Sequence, residues 1–268
     1  MEFFNGFFKG ASNCFKGFGI LFSKGLWPYL LYTVFLWLVF WVATVYLFAE
    51  LAQSIAEYVN AQLDFKDIPD EGSWISFAKP FLTSYFSIIL VWVLKLVFWF
   101  VSGTFSKYIL LICLSPMFSL LSETTEEKLK NTKFPFSFSQ LIKDIFRGIG
   151  ISLRNMFIEY SLIIGCFIVT IFLPPLVFVT APFLLFVSWY FVGFTMLDYN
   201  FERHKMGISQ STTFVRRNRG LACGIGAVYA LFMVLPLFIG LMLGPVVAVI
   251  GATTSFLEIK EKEVLNSN

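Results

Sequence analysis

From Trp27 to Phe48 the chain carries no Asp, Glu, Lys or Arg, and the run opens on Trp-Pro. Wound as a helix at 1.5 Å per residue it reaches about 33 Å, the thickness of one bilayer core. Pro28 falls where a helix tolerates it, in the first turn, whose amides lack intrahelical acceptors. No other feature limits the fold as strongly. Composition says what surrounds such a run: of 268 residues 57% are hydrophobic, 35 are Phe and 14% are charged, whereas soluble domains carry roughly 25% charge. One soluble core leaves too much apolar surface outside to hide so many aromatics. The chain reads as an all-α integral membrane protein, a single membrane domain over 1–268.

Ahead of that run, Phe3, Phe4, Phe7, Phe8, Phe15, Phe18 and Phe22 alternate with Lys9, Lys16, Lys24 and small polar residues. The spacing gathers aromatics on one helical face and lysines at its flanks, predicting an amphipathic interfacial helix over 1–24. A partner-binding helix is the alternative. The segment lacks the compact apolar core and small-residue cleavage site of a secretory signal. The first spanning helix is expected over 26–59, followed by turn chemistry at 64–73. A second spanning helix is expected over 74–121. It is overlong for one crossing, with Gly103 and Pro116 as break points. Glu123, Glu126 and Glu127 then read as the start of the next helix, where carboxylates suit the positive dipole end. Residues 123–159 form an amphipathic, basic segment on the cytoplasmic side.

Two apolar blocks follow. Residues 160–197 are divided by Pro174, Pro175 and Pro182, and residues 221–257 by Pro236, Gly240, Gly244 and Pro245. Each half holds about 13 to 16 residues, or 20–24 Å of helix, short of the roughly 30 Å core. Two short arms around a proline bend predict a re-entrant hairpin in each block, with a basic loop at 198–220 between them. The similar lengths hint at an internal repeat. Charge placement agrees: the 49–80 stretch carries six acids against two lysines, while the N-terminus, 123–159 and 198–220 are basic. The positive-inside rule puts the basic segments in the cytoplasm and the acidic loop outside. Two full crossings per block also satisfy parity; arm length favours hairpins.

Enzymatic constellations are missing. A lone histidine, His204, excludes multi-His metal sites and argues against a Ser-His relay. No phosphate-binding loop, cofactor fingerprint or metalloprotease motif occurs, so neither catalytic residues, metal nor cofactor are expected. The formal charge of +3 is too small for nucleic-acid binding. Cys14, Cys113, Cys166 and Cys223 show no paired spacing and read as small buried hydrophobes. Lys95 stands inside an apolar crossing, where an unpaired charge costs several kcal/mol; it is either a snorkelling lysine or an anion-attracting pathway charge. Arg216, Arg217 and Arg219 precede the last block either as topology anchors or as anion-facing groups beside a helix N-terminus.

Three segments, in order along the chain, carry a resemblance. LSPMFSLLSETTEEKL (114–129), SWYFVGFTMLDYNFERHK (188–205) and LPLFIGLMLGPVVAVIGATTSF (235–256) resemble signatures of the CysZ sulfate permease family, to which the etoposide-induced membrane proteins are similar at greater distance. The resemblance implies a multi-pass protein of the bacterial cytoplasmic (inner) membrane that passes sulfate inward for cysteine synthesis. It implies two long spanning helices plus two partially penetrating hairpins, and homo-oligomers that include inverted pairs among membrane lipids. The family carries Gly-Leu-Arg at the start of its first spanning helix, where the arginine and helix N-terminus hold sulfate. Here Lys24-Gly25-Leu26-Trp27 occupies the place, with Trp27 for the arginine. Lys24, Gly25, Leu26 and Trp27 are therefore the anion-site candidates for sulfate or a similar small inorganic anion. Lys95 and Arg216 are the pathway charges, and Glu123 and Asp198 are structural polar anchors. The competing reading on the same fold is a non-transporting scaffold or lipid-organising protein, favoured by the missing arginine and the Phe-rich first helix.

Overall fold

The computed structural model of the chain describes residues 2–62, 89, 91–96, 111–131, 138–201, 204, 206–236 and 239–267. The expected turn at 64–73, the break at Gly103 and most of the second spanning helix lie outside them. Among the described residues the regular structure is helical throughout: α1 (Glu2–Ser23), α2 (Pro28–Gln62), α3 (Ser115–Lys130), α4 (Phe138–Phe172), a 3-10 turn (Pro174–Leu176), α5 (Val177–Phe201), α6 (Ile208–Arg217), α7 (Arg219–Met233) and α8 (Ile239–Ser267). The chain divides into two compact units, Met1–Leu36 with Leu111–Asn268, and Trp37–Leu110.

In the second unit α2 continues with Trp37 stacked on Trp41, ring centroids 6.2 Å apart. Residues 91–96 are helical, and Lys95 Nζ lies 5.7 Å from the Trp92 ring centroid.

The larger unit is organised by small residues. In lipid there is no hydrophobic gain in bringing apolar helices together, so association relies on close backbone approach. α7 begins Arg-Gly-Leu-Ala-Cys-Gly-Ile-Gly and uses two faces. A methyl group on Gly224 would fall 2.1 Å from the Phe7 carbonyl oxygen of α1, and one on Gly226 would fall 1.9 Å from that of Trp189 on α5. α8 runs against α1 in the opposite sense, with Gly251 under Cys14 and Gly17 against Val247 and Ile250. The interior then fills with aromatics: Phe201 of α5 meets Phe214 of α6 at 5.3 Å and Phe256 of α8 at 5.6 Å, centroid to centroid.

α1 thus buries a face of small residues, Gly10, Asn13, Cys14 and Gly17, and leaves Phe4, Phe8, Phe15, Phe18 and Phe22 exposed. It ends in a tight left-handed cap. Gly25 has φ +65°, the Leu26 amide donates to the Leu21 carbonyl at 2.8 Å, and the Gly25 amide donates to that of Phe22 at 3.3 Å. Only glycine takes that backbone cheaply. Leu21 and Leu26, the two hydrophobic positions of the motif, are both fully buried.

Two expectations about boundaries change. The corner near Pro116 is present, as a turn at Leu114. The next helix, however, starts at Ser115 with Pro116 in its first turn and no acid there. Glu123, Glu126 and Glu127 lie mid-helix, because proline opens a helix as readily as it ends one. The arms around Pro174 are also longer than the apolar block suggested. α4 has 35 residues and continues back through the basic segment; α5 has 25 and accommodates Pro182 near its start. Among the described residues four helices, over Pro28–Ile55, Phe146–Phe172, Pro174–Phe201 and Ile239–Leu265, are long and apolar enough to cross a membrane. The apolar window of α8 is 72% buried within protein, whereas those in α2 and α4 are 11% buried, which leaves the latter facing outward.

Candidate functional site

The α1–α2 loop holds Lys24, Gly25 and Trp27 exposed and Leu26 buried. Its free donors are few. Pro28 has no amide hydrogen, and the Leu26, Tyr29 and Leu30 amides already donate to the carbonyls of Leu21, Leu26 and Trp27. The Lys24 and Gly25 carbonyls face a cation instead, accepting from Lys128 Nζ of α3, the second at 3.5 Å. The loop therefore holds the Lys128 ammonium on its carbonyls and supplies no guanidinium of its own.

Polar groups, some of them fully buried, tie the helices of this unit together. Ser122 of α3 donates to Asn200 Oδ1 at 2.7 Å and accepts from Thr253 of α8 at 3.2 Å. Asn13 of α1 donates to Ser255 and Glu258 of α8, both at 3.1 Å. Lys9 Nζ stands 3.1 Å and Lys16 Nζ 3.8 Å from Glu258. His204 bridges two partners, Glu126 Oε2 at 3.1 Å and Lys260 Nζ at 2.6 Å. An ammonium only donates, so Nδ1 must accept and the ring proton sits on Nε2, directed at the carboxylate. The lone histidine is a connector between α3 and α8.

The predicted anchor Asp198 is met by Arg147 of α4, which sequence reasoning counted only as part of a basic segment. Arg147 Nη2 lies 3.1 Å from Asp198 Oδ1 and donates to Ser211 Oγ at 2.6 Å, while Nη1 donates to the Met206 carbonyl at 2.6 Å. Glu123, the other anchor, is half-buried in the middle of α3. Further along α4, Ser152, Asn155 and Glu159 share a face of their own and are all buried. Among the described residues neither side-chain atom of Asn155 has a hydrogen-bond partner. An unmet buried polar group costs roughly 1–3 kcal/mol. The stripe is legible in sequence at i, i+3 and i+7, but Ser152 and Asn155 stand out little beside the charges of the same segment.

Arg216 lies apart from the α1–α2 loop candidates, at the corner between α6 and α7. With Arg217, Arg219, Phe3, Tyr190, Thr213 and Cys223 it lines a cavity of about 490 Å³. Among the described residues none of the three arginines meets a carboxylate. Arg154 of α4 adds a fourth guanidinium nearby, donating to Thr212 Oγ1 at 3.1 Å. Lys95 belongs to the other unit. Among the described residues no group of three or more His, Cys, Asp or Glu could hold a metal.

The chain matches the family described as Sulfate transporter CysZ/Etoposide-induced protein 2.4 over residues 13–243. It belongs to that family. A protein of Vibrio cholerae serotype O1 named Sulfate transporter CysZ is 26% identical over 214 residues, covering 79% of this chain and 77% of its own length. One of the same name from Pectobacterium atrosepticum is 29% identical over 174 residues, 61% of this chain and 60% of its own. A third, from Vibrio parahaemolyticus, is 28% identical over 142 residues, covering 52% and 56%. The CysZ family is one of transporters, so no catalytic centre is needed to account for the buried polar groups. The resemblance read from three short segments is the family of the whole match.

Proposed function

We propose that this chain is a multi-pass protein of a bacterial inner membrane that moves sulfate, or a closely similar oxyanion, for sulfur assimilation. The observation that carries it is a charge imbalance inside a member of the CysZ family. Asp198 is faced by Arg147, Glu258 by Lys9 and Lys16, and Glu126 is linked through His204 to the Lys260 ammonium. Cations remain in excess at the α6–α7 corner, where Arg216, Arg217 and Arg219 meet no carboxylate among the described residues. Anions gain from such a field, and cations are repelled. Lys24, Gly25, Leu26 and Trp27 form the mouth, Lys95 and Arg216 are pathway charges, and Ser152 and Asn155 offer polar partners along α4.

Partial penetration of the two hairpins is part of this reading. The turn Leu173–Leu176 is apolar, and from Glu159 to that turn the helix gains only about 21 Å. A turn that emerged into water would expose this surface at a cost. The face of α1 rich in Phe fits the membrane interface. Assembly into homo-oligomers, with inverted pairs, completes the proposal. Trp27, 52% exposed where the family motif has arginine, supports a second reading, a lipid-organising scaffold that transports nothing. Purified protein in liposomes separates the two: radiolabelled sulfate uptake above empty vesicles is expected, and uptake at the empty-vesicle level rejects transport.

A further inference from the structure

The corner between α6 and α7 presents more positive charge than helix physics accounts for. Arg216 and Arg217 close α6, where cations suit the negative dipole end. Arg219 has no such excuse. It is the first residue of α7, at the positive end of a helix whose first turn contains no acid. A cation there faces the positive end of the helix dipole, which is unfavourable. Asn218, the residue placed to cap α7, turns away, its Nδ2 donating to the Phe214 carbonyl at 3.0 Å. The start of α7 thus lacks a side-chain acceptor, and three guanidiniums stand beside it without a carboxylate among the described residues.

The same corner has room and a second kind of wall. The cavity of about 490 Å³ falls among small-molecule sites, which span roughly 300–1,000 Å³. Phe3 and Cys223 give it an apolar side, and the Tyr190 side chain faces it with no hydrogen bond among the described residues. Thr213 spends its hydroxyl on the Ser209 carbonyl at 2.9 Å, so the donors on offer are the guanidiniums and the phenol. Phe3 is held there by backbone contact: a methyl on Gly220 would lie 2.1 Å from its carbonyl oxygen. Beyond the apolar wall, Phe4 and Phe8 of α1 and Phe183 and Phe186 of α5 are exposed.

We propose that this corner is a binding site for one tetrahedral oxyanion, carried either by the headgroup phosphate of an anionic lipid or by free sulfate. Guanidiniums bind such groups in bidentate fashion, which ammonium groups cannot reproduce. The anion neutralises Arg219 and fills the acceptor role that Asn218 leaves open. This goes beyond the transport reading and requires binding alone.

Two binding measurements on the full chain in neutral detergent test it. Native mass spectrometry with added phosphatidylglycerol reports the lipid arm, and equilibrium dialysis with radiolabelled sulfate reports the free-anion arm. In whichever arm binding occurs, Arg216→Ala/Arg217→Ala/Arg219→Ala is expected to weaken it by about tenfold or more. Arg216→Lys/Arg217→Lys/Arg219→Lys, which keeps the charge and the fold, is expected to lose most of the same affinity. Lys262→Ala, an exposed lysine on α8, should bind as the parent does. Binding of neither probe, or binding equal in parent and Lys variant, overturns the proposal. Sulfate flux in liposomes is a separate readout, so a protein that binds at this corner yet transports nothing fails only the transport reading.

Discussion

Arg147 and Asp198, 51 positions apart in the chain, meet at 3.1 Å with side chains 13% and 6% exposed. The pair fastens the start of α4 to the end of α5, and the same guanidinium reaches Met206 and Ser211. Removing one partner of a buried pair costs about 3–5 kcal/mol, since the other charge keeps its desolvation penalty. Arg147→Ala is therefore expected to lower the thermal midpoint in detergent strongly. Arg147→Ala/Asp198→Asn should recover part of the loss. A double variant no better than the single one removes the pairing from the account.

Close backbone approach at α7 gives a contrast between glycines. Gly226→Ala drives a methyl to 1.9 Å from the Trp189 carbonyl oxygen, whereas Gly165→Ala meets nothing within 4 Å. The first should cost about 1–3 kcal/mol through displaced helices. The second should be neutral or stabilising, by up to about 1 kcal/mol of helix propensity. Thermal melts of the two purified variants decide, and equal midpoints would mean that α5 and α7 are not in backbone contact.

Cys14 is fully buried beneath Gly251, and burial pushes its thiol from 9.0 up to about 12. The folded chain holds this proton at pH values where the unfolded chain has lost it. Its contribution to stability is thus complete below pH 9.0 and is lost as pH rises toward about 12. A maleimide is expected to leave Cys14 unmodified at pH 7–8 until the protein is denatured, as followed by peptide mass spectrometry. Labelling of the native protein at the denatured rate would contradict the burial.

Trp27 stands 52% exposed, two residues after Gly25, whose carbonyl accepts from Lys128 Nζ, at the position where the resemblance implies an arginine. Trp27→Arg needs no room in the core and supplies the missing fork. It is expected to tighten sulfate binding by about tenfold, the scale of one bidentate contact, in the same equilibrium dialysis. Unchanged affinity would remove this loop as an anion site. Gly25→Ala serves as the backbone control. At φ +65° it should cost about 1 kcal/mol of stability without adding a charge.

Some of this architecture is written locally. A charge-free run opened by Pro28, prolines at the middle of two apolar blocks, and Gly25 after Ser23 each act over a few residues, so helices, bends and the tight cap are legible from neighbours alone. The family, too, is carried by short segments in order. Local rules also mislead: Glu126 looks like a helix start by its charge, yet Ser115 and Pro116 open that helix earlier, and Glu126 turns inward to His204. What no local rule contains is partnership. Asp198 was recognisable as a polar anchor, but its cation comes from another helix; Arg219 was one of three basic residues until Asn218 was seen to turn away from α7. By itself the sequence determined that this chain lives in a membrane, in helices, within a transporter family, because hydropathy and proline act through adjacent residues. Only the tertiary structure decided which charges are spent on one another and which, among the described residues, meet no carboxylate, because neutralisation depends on distance in space.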